Sequence, residues 1–328
     1  MKRLFRLFAA LALAVSLCGC STTKSYTAYT VYPIGYLLNR IGGNRINVAS
    51  IQSNVLVQIA QIKDDYKDTL SDAIVLFHIG GLEPYMDIYE EEIEETGVDI
   101  QDLSVLNALY EYKRYTPVRV DGKESFVEGS FYEGTVFEDI DMYELDPFIW
   151  LDPIGMYSMA TDVKDYLSSN YVEQSTYFEN NYETLSDELI ALDASYQNLA
   201  TKLRNQNKSI KFVCATGSFA CWQKAFGFQV YPVCLSKYGA VPSEAEYEAI
   251  KARIIADDVK YIAYEPNITD EMASILNRLE EELTLKRVNL NNISSLTSSQ
   301  SDAGKDYLSL MYENLSILEN MAVSATEE

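Results

Sequence analysis

Short apolar runs alternate with amphipathic stretches along most of this chain. Ala73–Ile79 is a nearly continuous apolar run of strand length, closed by Gly80-Gly81. Such runs suit a strand buried on both faces of a parallel sheet. Ile210–Ala215, Gln229–Val233 and Val259–Tyr264 repeat the pattern in the second half, and Tyr29–Tyr32 and Ile46–Ile51 read as strands in the first. Helices are expected near Pro33–Ile41, which Gly42-Gly43 stops, and over Ser218–Phe226, Ser243–Ala256 and Thr269–Leu283. Alternating β and α elements predict α/β layers. Between the halves, Phe178, Tyr182, Leu185, Leu189, Leu192, Tyr196, Leu199 and Leu203 recur at steps of four and three. That stripe predicts one helix over at least residues 178–203, roughly 39 Å long. A rigid strut packed against both halves accounts for it better than a coiled-coil strand does. Glu90–Glu95 and the Tyr- and acid-rich Asp121–Leu145 are expected to be exposed helix and loop. No internal sequence repeat stands out.

The first residues follow a different pattern. Lys2, Arg3 and Arg6 precede an apolar run, Leu7–Leu17, and Leu17-Cys18-Gly19-Cys20 resembles a bacterial lipobox. The run is shorter than the roughly 20 residues that span a bilayer, so it reads as a secretory signal. Residues 1–20 are therefore expected to end in a lipidated Cys20, with 21–27 as a polar tether to the outer face of the cell membrane. The rest divides into a first lobe (28–170), a linker helix (171–207) and a second lobe (208–328).

Charge and cysteine content narrow the choice further. Twenty-six basic residues face 49 acidic ones, a formal net charge of −23. Such a surface repels nucleic acid and favours solubility and cations. Beyond the signal only Cys214, Cys221 and Cys234 remain, too few for a disulfide framework. They are expected to pack as small buried hydrophobes, with one disulfide at most.

Several segments carry a likeness to a known family. Thr30-Val31-Tyr32-Pro33 followed by Arg40-Ile41-Gly42-Gly43-Asn44, and Gly80-Gly81-Leu82-Glu83-Pro84, resemble its first strand and helix and the end of a central strand. Asp146-Pro147-Phe148-Ile149-Trp150-Leu151-Asp152-Pro153 is similar to its Asp-Pro-His-x-Trp-Leu-Asp-Pro signature. Thr216-Gly217-Ser218-Phe219 with Phe226-Gly227-Phe228, then Tyr264-Glu265-Pro266 and Tyr307–Met321, complete the likeness. The chain thus resembles the solute-binding lipoproteins of zinc- and manganese-type ABC importers. The resemblance implies two α/β lobes with parallel sheets, joined by one long rigid helix, with cargo held between the lobes. It also implies an ABC permease as membrane partner and zinc or manganese as the inherited cargo.

The metal-ligand positions depart from that pattern. Family members hold their ion with imidazoles plus a carboxylate or water. In this chain the signature histidine is Phe148 and the second-lobe histidine is Thr216. The first-lobe ligand position falls at Asn54, and the carboxylate position at Asn291 or Asn292. Imidazole is a neutral borderline donor suited to such ions. Phenylalanine offers no lone pair, and a hydroxyl and amides do not assemble a tetrahedral nitrogen and sulfur zinc site. Glu265 adds one charge at a position that the family uses structurally. The single histidine, His78, is expected to be a satisfied core residue. Phe148 and nearby Trp150 are expected to make the cleft less polar, so that a small organic ligand becomes an alternative to a metal ion.

Other chemistries lack their residues. Asp139-x-Asp141-x-Tyr143 has neither the glycine nor the terminal glutamate of a calcium loop. Cys214 and Cys221 flank Thr216 but belong to a strand and to the helix after it. There is no Gly-x-Ser-x-Gly elbow, no phosphate-binding glycine loop and no histidine placed as a general base, which argues against an enzyme. The expectation is therefore a lipid-anchored binding component of an importer. The alternative is a surface scaffold or accessory lipoprotein on the same fold.

Overall fold

A computed structural model describes residues 26–324, apart from Asn54, Leu106, Asp121 and Gly122. The expected signal, the lipidated Cys20, most of the tether and Asn54 lie outside the described residues. Two four-stranded parallel sheets flank a 31-residue helix, Ser175–Asn205. The first sheet contains β1 (Tyr26–Tyr29), β2 (Asn47–Ser50), β3 (Ala73–His78) and β4 (Asp99–Asp102), in the order β2-β1-β3-β4. A two-stranded antiparallel hairpin follows, β5 (Arg114–Val120) and β6 (Lys123–Gly129). The second sheet contains β7 (Lys211–Thr216), β8 (Gln229–Cys234), β9 (Tyr261–Tyr264) and β10 (Lys286–Asn289), in the order β10-β9-β7-β8. Read from its other edge, that is the order of the first sheet. Each lobe places its first strand beside its third, with the second and fourth outside. The internal repeat that the sequence did not reveal is thus a repeat of topology.

Local chemistry sets the boundaries. The first helix begins one residue earlier than expected, at Tyr32, with Pro33 in its opening turn, and Gly43 at φ 53° ends it. β1 correspondingly lies earlier than the expected Tyr29–Tyr32. Ser243 and Glu246 form a capping box on helix Glu244–Ala256, and Thr269 caps helix Asp270–Leu283. β4 and β10 were not expected. Their sequences, DIQD and KRVN, are too polar to signal strands and lie at sheet edges.

All eight stripe residues of the long helix are buried. Toward the first lobe its Glu188 pairs with Arg40, and Asn181 Nδ2 donates to the Ile41 carbonyl at 2.9 Å. Toward the second, Tyr196 Oη donates to the Met311 carbonyl of helix Tyr307–Ser324 at 2.8 Å. The main apolar core is continuous across the strut and both lobes, and a smaller one lies on the far side of the first sheet. Among the described residues, no helix is long and apolar enough to cross a membrane.

The stretch expected as exposed loop is a correction. Within Asp121–Leu145 lie strand β6 and the buried rings of Phe131, Tyr132, Phe137 and Tyr143. The hairpin docks on the second lobe. Arg114 donates to Asp257 at 2.6 Å and to Tyr231 Oη at 3.0 Å, and Gln229 Nε2 donates to the Tyr115 carbonyl at 2.9 Å. The chain therefore reaches the second lobe here, ahead of the strut. The expectation of one disulfide at most resolves to none among the described cysteines. Cys214, Cys221 and Cys234 are free, buried thiols.

Candidate functional site

In open parallel sheets, ligand crevices form at the carboxyl ends of strands where the strand order reverses. Both lobes meet that description between their first and third strands. In the second lobe Thr216 ends β7 and Glu265 follows β9. The Thr216 N–H donates to Glu265 Oε1 at 3.2 Å, and its hydroxyl shares a 2.6 Å hydrogen bond with Ser218. Asn292 Nδ2 donates to Glu265 Oε2 at 2.8 Å. Burial raises the pKa of Glu265, while these donors and Ser218 oppose the shift.

The first lobe carries the same pair. Thr30 follows β1, and its hydroxyl donates to Glu83, which lies beyond β3. The finish differs. Glu83 Oε2 has no hydrogen-bond partner and faces His78 Nδ1, also unpartnered, at 3.9 Å. Burial pushes Glu83 up to about 8 and lowers His78. Both shifts favour the uncharged forms, so this approach is not supported as an ion pair. This corrects the expectation of a satisfied core histidine.

Between the two carboxyls the seam is filled by aromatic rings. Phe148 packs edge-on against Tyr143 with centroids 5.8 Å apart, and Tyr143 against Tyr112 at 5.5 Å. Tyr112 in turn meets Phe131 at 5.1 Å, and Phe148 meets Trp150 at 5.5 Å. A Cβ on Gly217 would fall 1.6 Å from Tyr112 Oη, so the turn after Thr216 closes directly on this plug. Trp150 Nε1 donates to the Asn292 carbonyl at 2.8 Å, and Tyr307 Oη to the Trp150 carbonyl at 2.6 Å.

The structure thus brings Thr216 and Glu265 together and sets Phe148 and Trp150 in the seam. Asn291 is turned away, its side-chain oxygen accepting from Ile293 N at 2.8 Å, and Asn292 occupies the cluster instead. Asn292 was offered from sequence only as the alternative to Asn291, and Ser218, Tyr112, Tyr143 and the Thr30–Glu83 pair were not assigned to the site. The signal available for the last was the recurrence of Glu-Pro in both halves, Glu83-Pro84 and Glu265-Pro266. Nothing local marks Tyr112 or Tyr143.

A family profile described as zinc-uptake complex component A, periplasmic, matches residues 28–321. This chain belongs to that family. It is similar to the zinc-binding lipoprotein AdcA of Streptococcus pneumoniae serotype 4, with 26% identity covering 97% of this chain and 60% of that one. The chain therefore spans about 60% of that relative's length. It is also similar to the high-affinity zinc uptake system protein ZnuA of Bacillus subtilis, with 23% identity over 54% of each chain. The fold matches the Zn(II)-bound ZnuA-like domain of Streptococcus pneumoniae AdcA with a TM-score of 0.67, 21% identity, and coverage of 91% and 98%. It matches a mutant of the laminin-binding adhesin Lmb of Streptococcus agalactiae with a TM-score of 0.70, 19% identity, and coverage of 91% and 99%.

Glu265 supplies one carboxyl, surrounded by hydroxyls and an amide, while His78 lies in the other lobe. Among the described residues, no group of three or more His, Cys, Asp or Glu is arranged to hold a metal. Tetrahedral zinc needs four nitrogen, sulfur or carboxylate ligands, or three with water in the fourth place.

Proposed function

We propose that this protein is the lipid-anchored, extracytoplasmic solute-binding component of an ABC importer of the zinc and manganese type, and that its seam does not capture the ion as its relatives do. Membership of the zinc-uptake family and the two strutted lobes support the binding role. The observation that carries the second half is the Tyr112–Tyr143–Phe148 plug beside a carboxyl already surrounded by Thr216, Ser218 and Asn292. Neutral hydroxyls and amides are weak partners for a borderline cation. The protein's acidic surface and two-lobed face would meet a membrane permease, and the strut would limit opening to a small motion. Elemental analysis and metal titration of the purified protein test the reading. Substoichiometric zinc and manganese are expected. A stoichiometric ion that is lost on changing Thr216 or Glu265 overturns it.

A further inference from the structure

A crevice of about 480 Å³ opens where the first lobe faces the chain that follows β10. One wall is built outside the carboxyl ends of β1 and β2, from Tyr29, Tyr32, Ser50 and Ser53, with Lys63 beside them. The other wall comes from the segment 294–302, which includes Thr297 and Ser298. The two lobes touch here, the Tyr32 N–H donating to the Ser294 carbonyl at 3.2 Å. None of Thr216, Glu265, Phe148 and Asn292 lines the crevice, so it is separate from the seam. Ten of its fourteen described lining residues carry a hydroxyl, and one more carries an amide. Among them Lys63 and Asp302 are the only charges, of opposite sign, in a chain whose formal net charge is −23. Lys63 is already engaged, its Nζ donating to the Ser50 carbonyl at 2.7 Å. The hydroxyls are held in advance by the backbone. Ser53 Oγ accepts from Gln61 N at 3.0 Å, and Thr297 Oγ1 accepts from Gln300 N at 3.2 Å. Oxygens fixed in this way cost less to order when a ligand arrives.

We infer that this crevice binds a neutral carbohydrate, a mono- or disaccharide. A hydroxyl both donates and accepts, so a hydroxyl-lined wall matches a ligand whose own rim is hydroxyl on every side. An anion calls for more cationic donors than one engaged lysine, and a cation for more carboxylate than Asp302 alone. The half-buried rings of Tyr29 and Tyr32 supply apolar surface for the C–H face of a sugar ring. The volume falls within the roughly 300–1,000 Å³ of small-molecule sites. Because both lobes line the crevice, a sugar that fills it touches both. The inference goes beyond the importer reading and uses none of the seam residues, so it stands whether or not that reading holds.

Calorimetric titration of the full-length protein with glucose, galactose, N-acetylglucosamine and maltose tests it, with inorganic phosphate and n-butylammonium as charged controls. Saturable binding of at least one of the four sugars is expected, with both controls about tenfold weaker or more. Ser298→Trp places a bulky ring at the exposed rim and should abolish sugar binding, while the far-ultraviolet circular dichroism stays unchanged. Tyr32→Ala removes one apolar face and should weaken the same sugar about tenfold. No saturable heat with any of the four sugars overturns the inference. So does phosphate or the amine bound as tightly as the best sugar, or sugar binding unchanged in folded Ser298→Trp and Tyr32→Ala proteins.

Discussion

The two lobes share one strand order and one buried threonine–glutamate pair, yet they finish it differently. In the second lobe Glu265 is surrounded by the Thr216 N–H, the Ser218 hydroxyl and the Asn292 amide. In the first, Glu83 receives the Thr30 hydroxyl and a long contact from Ile79 N at 3.4 Å, and its other oxygen faces an unpartnered imidazole. The same scaffold thus holds two equally buried carboxyls, one hydrogen-bonded at both oxygens and one at a single oxygen. Donor supply, not topology, decides the chemistry of each. The residue after the threonine shows the same divergence. It is Val31 in the first lobe, but Gly217 in the second, where the Tyr112 hydroxyl occupies the place of a side chain.

The severest way to break the comparison is to remove what ties the lobes together. Trp150→Ala deletes a buried ring that bonds to Asn292 and packs on Phe148, and should cost about 3–5 kcal/mol. Urea denaturation checks this, and a single transition splitting into two would show that the lobes rely on this pin for cooperativity. Asp257→Ala leaves Arg114 buried without its carboxylate and should cost about 3–5 kcal/mol by the same measurement. Gly217→Ala forces a methyl into Tyr112 and should cost about 1–3 kcal/mol, with a second change, Tyr112→Leu, recovering part of the loss.

The gentlest test uses pH to sharpen the difference between the carboxyls. Glu83 is pushed up to about 8, Asp146 to about 7 and Asp152 to about 6, each mainly by burial. A carboxyl whose pKa is higher in the folded state contributes stability below its unfolded value and loses it as pH rises through the folded one. The melting temperature should therefore fall between about pH 4 and pH 8. Glu83→Gln should flatten that fall more than Glu265→Gln, because donors on both oxygens of Glu265 oppose its upward shift while one oxygen of Glu83 has none. Asp257 behaves oppositely. Arg253, Tyr231 and Arg114 hold it down to about 2, so its contribution is present above pH 4 and is lost on acidification toward 2.

Much of the framework was legible in the chain. The strut was readable from Phe178 to Leu203 because a helix that buries one face must repeat its apolar residues every three to four positions. β3, β7, β8 and β9 were readable because strands buried on both faces must be apolar throughout. β4 and β10 were not, since DIQD and KRVN are polar and look like loop. The hairpin and its aromatic neighbours were missed for a related reason. Tyr112, Phe131 and Tyr143 are buried by a lobe more than sixty residues further along, and nothing beside them in sequence says so. At the site, the scarcity of imidazole was plain from the single histidine in the composition, while the choice between Asn291 and Asn292 depended on which way one turn points.

By itself, the sequence determined that two α/β halves surround one long helix and that the chain has a single imidazole to offer. Periodicity and side-chain chemistry are local properties, carried by each segment wherever it lies. Only the tertiary structure decided that aromatic rings fill the seam, that Glu265 has donors on both oxygens while one oxygen of Glu83 has none, and that Asp146 is buried with an oxygen unpartnered. Each of these depends on side chains brought together from distant parts of the chain, and burial and hydrogen bonding exist only once they meet.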